Sequence, residues 1–412
     1  MNILKISISN LREKKLNSFL STMLLTLGIG MISLLLLLDK QLDEQFKRNI
    51  KGIDMVVGAK GSPLQLILCS IYQIDSPTGN IPLEEVSRLK MNPFVKSVIP
   101  LSMGDNYQSF RIVGTTPQYI QHFGAKLAVG KLFTTSMEAA IGSKVASTTG
   151  LKVGDTFSSS HGLDAEGDSH GDNQYRITGI FEANGSVIDQ LIVTSLESVW
   201  AIHDHGGQVN MSLGAEDSDH EHPEAELHSE AKKEVTSALI QFRNPMGLIA
   251  LPRQINQNTS MQAALPSIEI NRLFSLLGVG IETLRALALV IISIAGISVF
   301  ISLYNSLKER KYEMALMLSM GATRTRLFLM LLMEGIVLSL LGYLAGVVMS
   351  RFGLWLFAKA AEQDFHYSLN QFKLLPEELY LLAAALFVGL IAAILPSLGI
   401  YRLNISRTLA EE

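Results

Sequence analysis

Charge is scarce in this chain. Asp, Glu, Lys and Arg make up 17% of its 412 residues and nearly cancel, leaving a formal net charge of −4. So small an imbalance supplies no electrostatic footprint for nucleic acid, and no nucleic-acid partner is expected. Cysteine is almost missing. Cys69 stands alone, so an intramolecular disulfide framework is excluded and cysteines say nothing about the redox compartment. The run LILCS around it matches a lipid-attachment site only loosely and lies well past the first apolar segment, so Cys69 is expected to be a small buried hydrophobe. The nucleotide-binding pattern G-x-x-x-x-G-K-[ST] is absent too. Its nearest approach, GAKLAVGKL at 124–132, has one residue too many between the glycines and no Ser or Thr after Lys131. No nucleophile motif accompanies the histidines, so catalysis by this chain is not expected.

Apolar residues are abundant. They reach 48% with a mean hydropathy of +0.28, richer than most soluble proteins. They gather in runs at 19–38, 286–303, 327–349 and 379–396, each near the roughly 20 residues a helix needs to cross about 30 Å of hydrocarbon. Four transmembrane helices are expected, one before and three after a large polar region. Residues 1–18 set Ile3, Leu4, Ile8 and Leu11 against Lys5, Arg12, Lys14 and Lys15, the pattern of a helix lying in the membrane interface. The first run is too long for a signal-peptide core, and no A-x-A-like site follows it.

Helical spacing continues past the first run through Leu42, Phe46, Ile50 and Ile53, which predicts a stalk helix over 39–57 broken at GAKGSP, 58–63. A second stalk is expected over 266–285, where Leu273, Leu277, Ile281 and Leu284 share a face. Between the stalks, residues 58–265 mix a short helix after Pro82 with β-type runs at 109–115, 175–181, 191–194 and 238–242, and read as an α+β domain. Two stretches, 158–173 and 202–233, look like excursions from it, polar and rich in acids and histidines. A short loop is expected at 350–378, a fourth span ended by Pro396, and a tail at 397–412.

Lysine and arginine counts orient the chain. Lys5, Arg12, Lys14 and Lys15 precede the first span, Lys308, Arg310, Lys311, Arg324 and Arg326 lie between the second and third, and Arg402 and Arg407 follow the fourth; the remaining short loop has Arg351, Lys359 and Lys373. Both termini and the 304–326 segment are expected in the cytoplasm, with the α+β domain outside.

The segment KERKYEMALMLSMGATRTRLFLMLLMEGIVLSLLGYLAGVV resembles the permease subunits of FtsX-like/MacB-like ABC transporters. The matching elements are Glu309, Arg310, Glu313, Ala315, Gly321, Ala322, Thr323, Glu334, Gly342 and Gly346. The tail PSLGIYRLNISRTLAEE and the external stretches IVGTTPQYI, EAAIGSKVASTTGLKVGDTF and YRITGIFEANGSVID are similar to the same family. The resemblance implies a bacterial inner-membrane permease without its own ATPase. In it, 304–326 is a coupling helix docking on a separate nucleotide-binding subunit, which holds ATP and Mg. The alternative for that segment is an ordinary cytoplasmic loop with solvated charges. The resemblance further implies a dimer, a homodimer rather than a heterodimer, a periplasmic adaptor or cargo, and mechanotransmission. Its other branches imply a scaffold that activates a cell-wall hydrolase, or a lipoprotein-releasing permease.

Three features stay open at this level. Glu334 lies about 12 Å into the third span, where a carboxylate faces a protein interior, either as a pair reset during the motor stroke or as a packing residue. Gly342 and Gly346 form a small-xxx-small face, within the chain or between copies. His203, His205, His220, His222 and His228 sit among acids and suit Zn²⁺, which would make metal-linked export a variant; their alternative is a solvated acidic loop.

Overall fold

The computed structural model describes residues 15–161, 169–204, 233–365 and 375–402, together with Ser7 and Ser9. It divides into two units, one of Met1–Asp43 with Ser275–Glu412 and one of Glu44–Phe274. Most of the expected interfacial helix over 1–18 lies outside the described residues, as do 205–232, 366–374 and 403–412.

Helix α1 spans Lys15–Ile50 and closes with Lys47 and Arg48 in its last turn, where cations oppose the negative end of the helix dipole. The stalk expected through 57 is corrected here. Gly52 takes φ +80, a left-handed turn that stops the helix, and Met55–Ala59 forms strand β1. Val56 and Val57 are buried on a strand paired on both sides, where β-branched residues pack better than on a helix. Helix α2, Pro63–Ile67, continues as a π-helical turn over Leu68–Tyr72. Strand β2 is Ile81–Pro82, and helix α3, Leu83–Leu89, begins on Pro82 with Glu84 and Glu85 in its first turn.

The remaining strands of the second unit are β3 Val95–Tyr107, β4 Phe110–Thr115, β5 Leu127–Gly130, β6 Glu138–Ile141, β7 Thr156–His161, β8 Ser169–Phe181, β9 Ile192–Ser195, β10 Glu234–Val235, β11 Ser237–Phe242 and β12 Met261–Ala264. Its other helices are α4 Pro117–His122, α5 Ser143–Thr149, α6 Leu196–Asp204 and α7 Met246–Asn258. Ten strands form one mixed sheet in the order β12-β1-β11-β3-β4-β9-β6-β8-β5, with β7 beside β3 and β8; β2 and β10 pair separately. The pairs β4–β9 and β6–β8 are parallel. The excursion expected over 158–173 is narrower, because its two ends belong to the paired strands β7 and β8. That over 202–233 begins later, since Ile202–Asp204 close α6.

A core of Val56, Ile67, Ile71, Tyr119, Val113, Val193 and their neighbours fills one face of the sheet. Cys69 sits in it at 1% exposure, as expected of a small hydrophobe, and the Arg111 guanidinium donates to its Sγ across 3.5 Å. Burial pushes the thiol up and Arg111 pulls it partly back. We expect Cys69 to resist maleimide in the folded chain and to react fully in denaturant; rapid native labelling would contradict this packing.

His122 ends α4 beneath the Lys51–Gly52 turn and hydrogen-bonds the Lys51 backbone. Burial holds its imidazole below the ordinary value of 6.5 and outweighs that hydrogen bond. The unfolded chain therefore takes up the proton first. The contribution is intact above about pH 6.5 and is lost as pH falls through the lower folded value. His122→Gln should remove this part of the acid sensitivity, read as a smaller drop in denaturant midpoint between pH 7.5 and 5.5.

Helix α8 runs Pro266–Glu309, beginning in the second unit and entering the first at Ser275; the first unit also holds α9 Lys311–Ser319, α10 Arg324–Phe365 and α11 Glu377–Ser397. Among the described residues, α1, α8, α10 and α11 are long and apolar enough to cross a membrane. Two further boundaries differ from expectation. The 350–378 loop is helical to Phe365, because Phe352, Trp355, Leu356 and Phe357 prolong the apolar pattern. The 304–326 module contracts to α9 and its two turns, since α8 does not stop at 303. Pro396 sits in the last turn of α11, and a 3-10 turn, Leu398–Arg402, follows.

Candidate functional site

Helix α8 ends at Arg310, whose backbone (φ −100, ψ 15) leaves the helical region, and α9 starts one residue on. Its far end is a Schellman closure. Gly321 takes φ +94, Ala322 N–H donates to the Met317 carbonyl at 2.9 Å and Gly321 N–H to that of Leu318 at 3.1 Å. Nothing lies within 4 Å of where a Gly321 Cβ would stand, so this glycine serves the backbone turn rather than a close contact. Thr323 then caps α10, accepting from Arg326 N–H at its carbonyl and its hydroxyl.

One face of this module is a core. Met314 packs among Leu307, Leu327, Met330, Leu331 and Ile400, and Ala315 beside it is fully buried. The Arg324 guanidinium donates to the Tyr401 carbonyl at 2.6 Å, and the Ser7 hydroxyl to that of Met330 at 3.1 Å. Arg310 is 8% exposed. Of the residues expected to dock, Arg310 and Ala315 thus point inward, Gly321 and Ala322 shape the turn, and Glu309 and Glu313 stand in solvent. Beside the two acids, Tyr312, Leu316 and the 79% exposed Met320 complete an outward face that the family pattern did not mark. Their spacing of four was legible, but Leu316 is indistinguishable from Leu318 by type alone.

Glu334 is 2% exposed in the interior of the helix bundle. Next to it α10 and α11 approach closely: a Cβ on Gly335 would lie 2.8 Å from the Gly389 carbonyl. Gly342 and Gly346 face α1, their Cβ positions 2.7 Å from Leu25 Cβ and 3.0 Å from Ile29 Cγ2, and Gly30 answers from the other side, 3.1 Å from the Gly346 carbonyl. This contact lies within one chain.

Sequence reasoning missed a polar junction. Arg351 on α10 grips Glu378 on α11 through two bonds of 2.8 Å, with side-chain exposures of 16% and 5%. The Ser33 hydroxyl of α1 donates to Glu378 Oε1 at 2.8 Å and lies 2.9 Å from that of Ser350, while Leu375 N–H reaches Oε2 at 3.3 Å. Arg285 pairs with Asp39 at 3.1 Å and Lys40 with Glu377 at 3.9 Å. Residues 33–40 of α1 thereby tie to all three other membrane helices.

His203 lies in α6; His205, His220, His222 and His228 fall outside the described residues. Among the described residues no group of three or more His, Cys, Asp or Glu is placed to hold a metal.

Residues 18–229 match the model of the MacB-like periplasmic core domain, and 285–405 that of the FtsX-like permease C-terminal domain. No curated protein matches the chain. Among solved structures, the periplasmic region of MacB from Actinobacillus actinomycetemcomitans aligns over 55% of this chain and 95% of its own length, at 11% identity and TM-score 0.33. The extracellular domain of the noncanonic ABC-type transporter YknZ from Gram-positive bacteria aligns over 51% and 98%, at 12% identity and TM-score 0.30.

Proposed function

The chain belongs to the FtsX-like permeases that carry a MacB-like periplasmic core domain, and from that premise we propose that it is the lever of an ATP-driven complex in the inner membrane. The family partners a cytoplasmic ABC ATPase, and the permease itself is a membrane protein with a periplasmic domain. On our reading two copies of the permease, identical rather than different, sit on two copies of the ATPase. Closure of the ATPase on α9 tilts the membrane helices, and α1 and α8 pass the motion to the periplasmic domain. That domain then drives export or extraction of a cargo already outside the membrane, directly or through an adaptor.

The observation that carries this reading is the outward face of α9. Glu309, Tyr312, Glu313, Leu316 and Met320 present two acids beside three large apolar groups along and just beyond a short helix tied between two membrane helices. Such a face matches a groove with an apolar floor and a basic rim. Exchanging Glu309 and Glu313 for Lys together with Leu316→Ala should weaken association with the co-purifying ATPase at least about tenfold, because hot-spot residues at an interface centre are worth roughly 2 kcal/mol or more. Full association and ATP-dependent activity in that variant would remove α9 as the docking element. A co-purifying cell-wall hydrolase, in place of an adaptor or cargo, would favour the scaffold branch of the family.

A further inference from the structure

We propose that the last turn of α1 is fastened to the periplasmic sheet at a second point, and that this fastening makes the helix a crank. The inference rests on the lever reading above and names the residues through which the lever acts.

The first attachment is covalent. After Ile50 the chain turns at Gly52 and enters β1, which lies between β12 and β11 near one edge of the sheet. The second is a set of side chains on residues 45–49 that converge on one loop. Gln45 Nε2 and Arg48 Nη1 both donate to the Gly185 carbonyl at 3.2 Å, and Val187 N–H donates to Asn49 Oδ1 at 3.2 Å. In the same turn, Phe46 packs on Tyr72 at 4.6 Å between ring centroids and on Phe274 at 5.4 Å. The Tyr72 hydroxyl donates to the Phe46 carbonyl at 3.0 Å.

The loop so gripped is tied to itself by hydrogen bonds. Asp189 accepts from Asn184 N–H at 3.1 Å and from Gly185 N–H at 2.7 Å, and Asn184 Oδ1 accepts from Ser186 N–H at 2.8 Å. Val187 and Ile188 are fully buried. Gly185 takes φ +72, a left-handed backbone that favours glycine, and a Cβ there would displace the Arg48 guanidinium from this contact. The loop leads through a 3-10 turn, Val187–Gln190, into β9, which lies between β4 and β6 in the other half of the sheet. The helix end therefore holds β1 by the backbone and β9 by side chains. The halves meet at β3, whose pairing with β4 shifts register between Met103 and Asn106. Tilting α1 about Gly52 would press the β9 half against the β1 half across that irregular strand.

The test uses the full chain in nanodiscs with its ATPase, Cys69→Ala, and spin labels at Lys90→Cys after α3 and Lys152→Cys before β7, both exposed. Their distance distribution is compared without nucleotide and with ATP trapped by vanadate. A nucleotide-dependent shift is expected in this background. It should vanish in Gln45→Ala/Arg48→Ala/Asn49→Ala and equally in Gly185→Ala, while ATP hydrolysis and complex formation persist. Combining the two lesions should add nothing further. Retention of the maleimide-resistant Cys69 in parallel chains shows that the domain is folded; if the triple variant fails this, Arg48→Ala alone is read. A shift that survives these changes would overturn the crank and leave the lever standing. No shift in the background chain would sink the lever reading and the crank with it.

Discussion

Replacing Glu378 by Gln is expected to cost the membrane bundle about 3–5 kcal/mol, the penalty for stranding one member of a buried ion pair. The carboxylate receives Arg351 twice, Ser33 and Leu375 N–H, so both of its oxygens are engaged. An amide keeps one acceptor and turns its NH₂ toward donors that have nowhere else to go. Arg351→Met strands the carboxylate instead and should cost a similar amount. Changing both to Met removes the two charges together and should cost no more than either single change, because desolvation is then relieved along with attraction. The thermal midpoint of the detergent-solubilised chain measures all three. A single-variant loss below about 1 kcal/mol, with independent effects in the double variant, would mean that the junction is a solvated surface pair.

Gly346→Leu should be at least as damaging, for a steric reason. Its Cβ would stand 3.0 Å from Ile29 Cγ2 and 3.1 Å from Gly30 N, against both the β-branched Ile29 and the backbone of α1. Backbones cannot yield without parting the helices. Overpacking of this kind costs about 1–3 kcal/mol for a single methyl, and a Leu side chain adds several more atoms. Gly346→Ala should fall between wild type and Leu. Gly280→Ala is the control: nothing lies within 4 Å of its Cβ position, and there Ala should be neutral or stabilise by about 1 kcal/mol through helix propensity. Equal melting of the Leu variant and the wild type would show that α1 and α10 do not meet at this glycine.

These outcomes bear on α9 as well, because the module on which the ATPase would press is built from the same helices. Its core of Leu307, Met314, Leu327 and Ile400 draws on α8, α9, α10 and the turn after α11. Loosening the bundle should weaken coupling even with the docking face intact.

Four apolar runs near 20 residues announced four spans, since hydrocarbon thickness leaves a helix little choice of length or composition. The family pattern around Glu309–Glu313 and Gly321 located the turn between two of them. Short β-branched runs marked several strands correctly in kind. Local patterning could do no more than this. The helical spacing of Leu42, Phe46, Ile50 and Ile53 ran on past the true end of α1, because Gly52 and the pairing partners of β1 act only in the folded sheet. Strand order depends on residues far apart: Met55 of β1 pairs with Ile240 of β11, and Val56 with Ala264 of β12.

What composition and periodicity settled alone was the class of protein: a chain spanning the membrane four times around one large polar domain, with no nucleotide motif of its own. Tertiary packing decided which charges are buried and which stay at the surface. Arg310 and Arg351 look alike to Arg324 and Arg326 as cations in short segments, yet the first two are withdrawn from water. Leu316 and Met320, apolar by type, are left facing it. Burial is a property of the neighbours a residue meets, and those neighbours come from distant parts of the chain.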